Sequence, residues 1–403
     1  MAFKAIFGVL LLALLLPLAY ERRQAVYLFY KNAPHRITKV NTFASHEIKF
    51  SDRIRSCEDA LMVESEGVAI LACDPGRERW NTVMGIFLPG PVESGKLYIY
   101  DYTNPGASDS EALKTVEFID FPHSSDFHTL GLAYHEGTST LFVASHRHDY
   151  PAIEMFQLDL QASTATYLRS IQHPLIHGPN SIALVNDHEF YVTNSAHFLA
   201  RDNPVLNKLE INLNLPGGSI VHVDISPQLK DPSASPEAHI VARIGFANGI
   251  EFLNASTLAV SSSSGAKVRL YSITHPDSPT SPPNLTPMKD ISAPFCPDNL
   301  SVSKDGALLI AGHAHVPSLG KFAHSRHICN SEEELANADE EMRETCKTLT
   351  APSWAARWTE DGGLETLYAG VEYPTSATAA RDLGRKVGIL AGLYARGILV
   401  WRE

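Results

Sequence analysis

The chain has 403 residues, 44% of them hydrophobic and 19% charged, and 33 Lys and Arg set against 45 Asp and Glu give a net charge of −12. That is enough apolar material for a large buried core, with no long charged or low-complexity run of the kind that stays disordered. The acidic balance argues against nucleic acid or an anionic membrane surface as the main partner, and leaves solubility or a local cation site as its uses.

The N-terminus opens with Lys4 and an apolar run from Ala5 to Tyr20, closed by Glu21, Arg22 and Arg23. The run is long for a signal-peptide core and short for a membrane span, and no clean small-x-small cleavage site follows. Residues 1–23 therefore read as a secretory-pathway signal peptide or signal anchor, and residues 24–403 as the folded unit. The expected location is the secretory pathway, either secreted or anchored with the fold facing the lumen or exterior. The sequons at Asn254 and Asn284 suit a glycosylating compartment.

Beyond this segment one unit recurs: a polar or small head, a short apolar strand, a turn, and a second apolar strand. The copies begin at Glu58-Asp-Ala-Leu, Leu130-Gly-Leu-Ala, Asn180-Ser-Ile-Ala, Asn248-Gly-Ile-Glu, Asn299-Leu-Ser-Val and, more weakly, Ser376-Ala-Thr-Ala. Heads lie roughly 50 to 80 residues apart, the spacing of four-stranded blades with loops of varied length. Six copies predict an all-β, six-bladed β-propeller around a central channel, against the alternative of a sandwich or several β domains. The last apolar strand, Ile398-Leu-Val-Trp-Arg, is expected to pair with N-terminal chain and close the ring.

Five cysteines are present and none forms a CxxC pair, which argues against zinc held by cysteine. Cys57 and Cys73 face each other if the first hairpin turns about Ser65, so they are either a disulfide or two small buried thiols, with Cys296 a competing partner. Residues 331–345 read as a helix with an acidic first turn, within a helical insertion at about 318–350. Cys329 and Cys346 flank it. A straight helix of that length would be about 22 Å long, so these two pair only if the helix is short or broken.

A propeller brings its repeat heads together on the axis. Here they supply Glu58, Asp59, Asn180, Asn248, Asp298 and Asn299, a set of hard oxygen donors. Calcium takes six to eight such ligands, and the Glu58 and Asp298 carboxylates match its charge while three amides add neutral oxygens. Asn299 also begins a sequon, but its place among the heads assigns it to the ion.

Phe246-Ala-Asn-Gly-Ile, Cys57-Glu-Asp-Ala-Leu, Pro179-Asn-Ser-Ile and Pro297-Asp-Asn-Leu-Ser-Val resemble the calcium-binding motifs of the serum paraoxonase/arylesterase family. The resemblance runs from about residue 50 to the C-terminus, leaving the insertion unmatched. It implies a calcium-dependent carboxylic ester hydrolase acting on small lactones or aryl esters, its catalytic ion held by Glu58, Asn180, Asn248, Asp298 and Asn299. It implies a second, structural ion at Asp59 and the Leu132 carbonyl. Ser181 stands where that site expects an aspartate, which leaves the second ion weakly held or absent. The resemblance selects His128, His146 and His313 among 18 histidines as catalytic, the first two as a water-activating dyad. His128 departs from the pattern by two extra residues before Gly131. The family's ring-closing disulfide has no counterpart, since Trp401 occupies its last-strand position. A gluconolactonase-like hydrolase and a non-catalytic, calcium-stabilised lumenal propeller that binds a partner are the competing readings.

Overall fold

The structure is a computed structural model that describes residues 16, 17, 20, 22–231, 233–276 and 281–403. The predicted signal or anchor segment lies almost wholly outside the described residues, and among those described no helix is long and apolar enough to cross a membrane.

Six antiparallel four-stranded arrays form the blades, with an extra short strand on the outer edges of two of them. The innermost strands are Cys57–Val63, Thr129–His135, Pro179–Leu184, Ala247–Asn254, Cys296–Val302 and Ser376–Asp382. Each of the six repeat heads sits within three residues of such a strand's start. The six-bladed propeller expected from the repeats is therefore the fold.

The blades adhere because both faces of their second strands are apolar. In Leu308–His313, Leu308 and Ile310 pack in a cluster shared with blade four, whereas Leu309 and Ala311 pack in one shared with blade six. Alternation along a strand sends successive side chains to opposite faces, so a short continuous apolar run serves two interfaces at once. Six such clusters fill the six gaps between neighbouring blades.

The ring closes by strand exchange between the chain's two ends. Ser45–Lys49 forms the outer strand of blade six against Ile398–Arg402, in register from Ser45 opposite Arg402 to Lys49 opposite Ile398. Phe43 stacks on Trp401 with ring centroids 4.6 Å apart and planes 8° from parallel. Strand pairing and aromatic packing thus stand in place of a covalent closure.

Cys57 and Cys73 are directly opposed and disulfide-bonded. Cys329 and Cys346 are bonded too, with Cα atoms 5.2 Å apart. The second bond forms because the helix predicted over 331–345 is broken. Glu332–Asn337 ends at the extended Ala338, and Asp339 then caps Glu340–Thr348 by accepting the Met342 amide at 2.7 Å. A preceding helix, Val316–Cys329, falls within the segment expected as a helical insertion at about 318–350. The helix Pro204–Asn212 was not foreseen, and its amphipathicity is inverted: Asn207 and Glu210 are buried, while Val205, Leu206 and Leu209 are exposed. The buried pair hydrogen-bonds the backbone of residues 197 and 198. Cys296 is the free thiol and is buried.

Candidate metal and active site

Each inner strand breaks register with its neighbour where its head lies. The shifts fall between Cys57 and Asp59, Thr129 and Leu132, Pro179 and Ile182, Ala247 and Ile250, Pro297 and Leu300, and Ser376 and Thr378. A bulge of this kind inserts an unpaired residue and re-aims its side chain. The residues within the bulges include Glu58, Leu130, Asn180, Asn248, Asp298 and Asn299. Neighbouring heads can approach closely because glycines stand between them. A Cβ on Gly131 would lie 2.6 Å from the Asn180 carbonyl oxygen, and one on Gly249 2.5 Å from that of Asp298.

Glu58, Asn180, Asn248, Asp298 and His313 line one cavity of about 460 Å³. Asn299, which lines a second cavity with Asp59, Leu132 and Ser181, donates to Glu58 Oε1 at 3.0 Å. The amide orientations are set from behind. Asn180 donates its Nδ2 to Ser195 Oγ at 3.1 Å, Asn248 to Ser263 Oγ at 3.0 Å, and Asn299 to Thr378 Oγ1 at 2.9 Å. Their oxygens are what remains. Glu58 Oε2, Asn180 Oδ1, Asn248 Oδ1 and Asn299 Oδ1 are all buried with no hydrogen-bond partner among the described residues.

Four orphaned oxygens from four blades are costly unless a cation or water occupies the space they face. Electrostatics agrees. Burial, then the nearby Asp59 and Asp298, push the Glu58 carboxyl well above its usual range. The donor set of two carboxylates and three amide oxygens fits calcium.

Asp59 is arranged differently. Its Oδ1 accepts from the Ala60 amide and the Thr378 hydroxyl, and its Oδ2 from the Leu132 amide, all at 2.8 Å. Leu132 therefore presents its N–H to this carboxylate. The Ser181 hydroxyl accepts from the Ile250 amide at 3.4 Å. With both Asp59 oxygens already bonded and a hydroxyl at 181, the residues here do not fit a second ion as they fit the first.

The three selected histidines separate. His313 lines the cavity, with Nε2 2.9 Å from Asp298 Oδ2 and a buried Nδ1 that has no partner among the described residues. His128 does not line it. The bulge of blade two presents Leu130 there instead, which is the structural consequence of the two extra residues. His128 Nδ1 lies 3.3 Å from both Asp74 oxygens and Nε2 3.3 Å from Asp126. Burial alone would lower His128, but these carboxylates outweigh it and hold the imidazole up at about 9. His146 hydrogen-bonds the Pro179 carbonyl through Nε2 at 2.6 Å and Thr82 Oγ1 through Nδ1, and burial brings it down to about 4.

Some residues of the site were not read from the sequence. Ser195 and Ser263 follow their asparagines by the same fifteen residues, a regularity that a strand-by-strand overlay of the repeats exposes. Arg77 left no such signal. It is buried, lines the cavity near Glu58, and donates to the Thr129 carbonyl.

Comparison with known proteins agrees with this architecture. Serum paraoxonase/lactonase 3 of Oryctolagus cuniculus is 29% identical over 240 residues, 57% of this chain and 61% of that protein. Serum paraoxonase/arylesterase 1 of Rattus norvegicus is 27% identical over 229 residues, 54% of this chain and 58% of that protein. The chain thus spans about three fifths of the length of these relatives. Among solved structures, a luciferin-regenerating enzyme superposes with a TM-score of 0.51 at 12% identity, covering 91% of this chain and 96% of its own. A structural-genomics target described as a gluconolactonase gives 0.50 at 12% identity, covering 91% and 97%. These two share the fold. The family model for arylesterase matches residues 83–336, well over half of the chain, and the chain belongs to the arylesterase family.

Proposed function

We propose that this protein is a calcium-dependent hydrolase of small lactones or aryl esters, working in the channel cavity. The observation that carries the proposal is the set of buried, unpartnered oxygens on Glu58, Asn180, Asn248 and Asn299, the first three of which line the channel cavity with Asp298. Those five residues would hold the ion. A calcium ion there supplies Lewis acidity toward an ester or lactone carbonyl.

The chain's own groups do the rest. Asp298 accepts the Nε2–H of His313, which fixes the tautomer and leaves Nδ1 as the proton acceptor for an attacking water. The imidazolium that forms is stabilised by the same carboxylate. Leu130, Phe246 and Leu393 give the cavity its apolar wall, where an acyl chain or aryl ring is kept from bulk water. In this reading the base is His313. His128 is turned away from the cavity toward Asp74 and Asp126, and both ring nitrogens of His146 are engaged.

Residues 1–23 serve in the same reading as signal or anchor, and residues 24–403 as one working unit. Two disulfides and the exposed Asn254 and Asn284 suit an oxidising, glycosylating compartment.

The test is hydrolysis of a panel of lactones and aryl esters by purified protein, with calcium or with chelator, alongside a Glu58→Gln variant. Turnover that chelator abolishes, calcium restores and the variant lacks while folded supports the proposal. No turnover by folded, calcium-loaded protein moves the assignment to a propeller that uses the ion only to hold its blades.

A further inference from the structure

The loops entering and leaving the inner hairpin of blade two bring together Asp126, His128 and His148, none of which lines the channel cavity. Asp126 Oδ1 is 2.5 Å from His148 Nδ1 and 3.3 Å from His128 Nε2, while Asp126 Oδ2 accepts the His148 amide at 3.0 Å. All three donor atoms lie within 4.8 Å of one another. We propose that these residues form a site for a divalent transition ion of the zinc class, separate from the oxygen-lined channel site.

The donor chemistry points to this class. Two imidazole nitrogens and one carboxylate suit zinc, whereas calcium prefers oxygen alone. Tetrahedral zinc at about 2.0–2.1 Å from each ligand needs its donors about 3.3 Å apart. The Asp126 and His128 atoms already have that separation. The Asp126 and His148 atoms must part by less than about 1 Å, which His148 can supply because its side chain is 44% exposed.

The surroundings are built as a ligand site requires. A zinc-binding histidine commonly donates its other ring N–H to a carboxylate, which fixes the tautomer and the ring plane. Asp74, itself buried, stands behind His128 in that position, 3.3 Å from Nδ1. Trp80 stacks on His148 with ring centroids 3.9 Å apart and so limits the ring to the side facing Asp126. The fourth coordination position is left to water. A bound ion would tie the chain that enters blade two to the chain that leaves its second strand.

The experiment uses the full protein, stripped with chelator and returned to saturating calcium, then titrated with zinc chloride by calorimetry. One equivalent should bind with a dissociation constant of micromolar or below. His148→Ala, at an exposed position, should weaken binding at least tenfold without changing the circular dichroism spectrum. Asp74→Asn should weaken it by about 10- to 100-fold through ligand orientation. Cobalt bound in place of zinc should give visible tetrahedral absorption that His148→Ala lacks. Absence of zinc binding to folded, calcium-loaded protein, or uptake unchanged by His148→Ala, would overturn the site.

Discussion

The side chain fifteen residues after a head is the one that disciplines it: Ser195 for Asn180, Ser263 for Asn248 and His313 for Asp298. The two serines do their work by accepting from the amide nitrogen, so that the amide oxygen faces the cavity. In a metal site such outer partners matter nearly as much as the ligands, and their loss commonly lowers affinity about 10- to 100-fold. The double variant Ser195→Ala, Ser263→Ala should therefore bind calcium at least tenfold more weakly in equilibrium dialysis while keeping the native dichroism spectrum. The third pairing gives a kinetic prediction. His313→Gln, which keeps an N–H to donate to Asp298 but no basic nitrogen, should lower kcat by about 10²- to 10⁴-fold, the usual size of a general-base contribution, and leave calcium affinity within a few-fold. His128→Gln should keep kcat within a few-fold, and a loss as large as that of His313→Gln would return the base role to the blade-two histidine.

At the scale of elements, the ring depends on the N-terminal strand that completes blade six. Trp401 is buried and stacked between this closure and the rest of blade six, in the cluster shared with blade five. Truncating a buried aromatic of this kind costs about 3–5 kcal/mol, and no covalent bond joins the paired ends. Trp401→Ala should lower the denaturant midpoint by a corresponding amount, and Phe43→Ala by less, since Phe43 caps the stack from the partly exposed side. Reducing the disulfides should destabilise without opening the ring, because Cys57–Cys73 staples one hairpin and Cys329–Cys346 staples the helical insertion. A Trp401→Ala midpoint unchanged from wild type would show that interblade packing alone holds the circle.

At the scale of the whole molecule, the channel gathers negative charge from several blades onto one axis. Without an ion, burial and mutual proximity raise Glu58, and burial raises Asp59. A carboxyl raised in the folded state contributes stability that is fully present below its unfolded value, about 4, and is lost as pH rises through its folded value. Chelated protein should accordingly lose stability as pH rises from about 4 toward neutrality. An ion between the carboxylates offsets that loss. Calorimetric Tm measured in calcium and in chelator should show a gap that widens from pH 5 to pH 8. A gap that stays constant or narrows would argue that no ion sits at Glu58.

What the sequence determined by itself was the repeat. A head, an apolar strand, a turn and a second apolar strand recur because every inner strand meets the same demands, one end on a polar axis and two faces on apolar neighbours. That local consistency made the six blades, the Cys57–Cys73 opposition, the closing strand and the ring of oxygen donors legible. The tertiary structure decided what depends on side-chain direction and on bulge register. Leu130 rather than His128 reaches the cavity, because the bulge in blade two falls at 130 and 131 and the two extra residues carry the histidine to the loop beyond. The helix Pro204–Asn212 was illegible because its buried face is polar and hydrogen-bonded, the reverse of the pattern by which helices are recognised. Asp59 looked like an ion ligand in its motif, and only the fold shows three donors already closed around it.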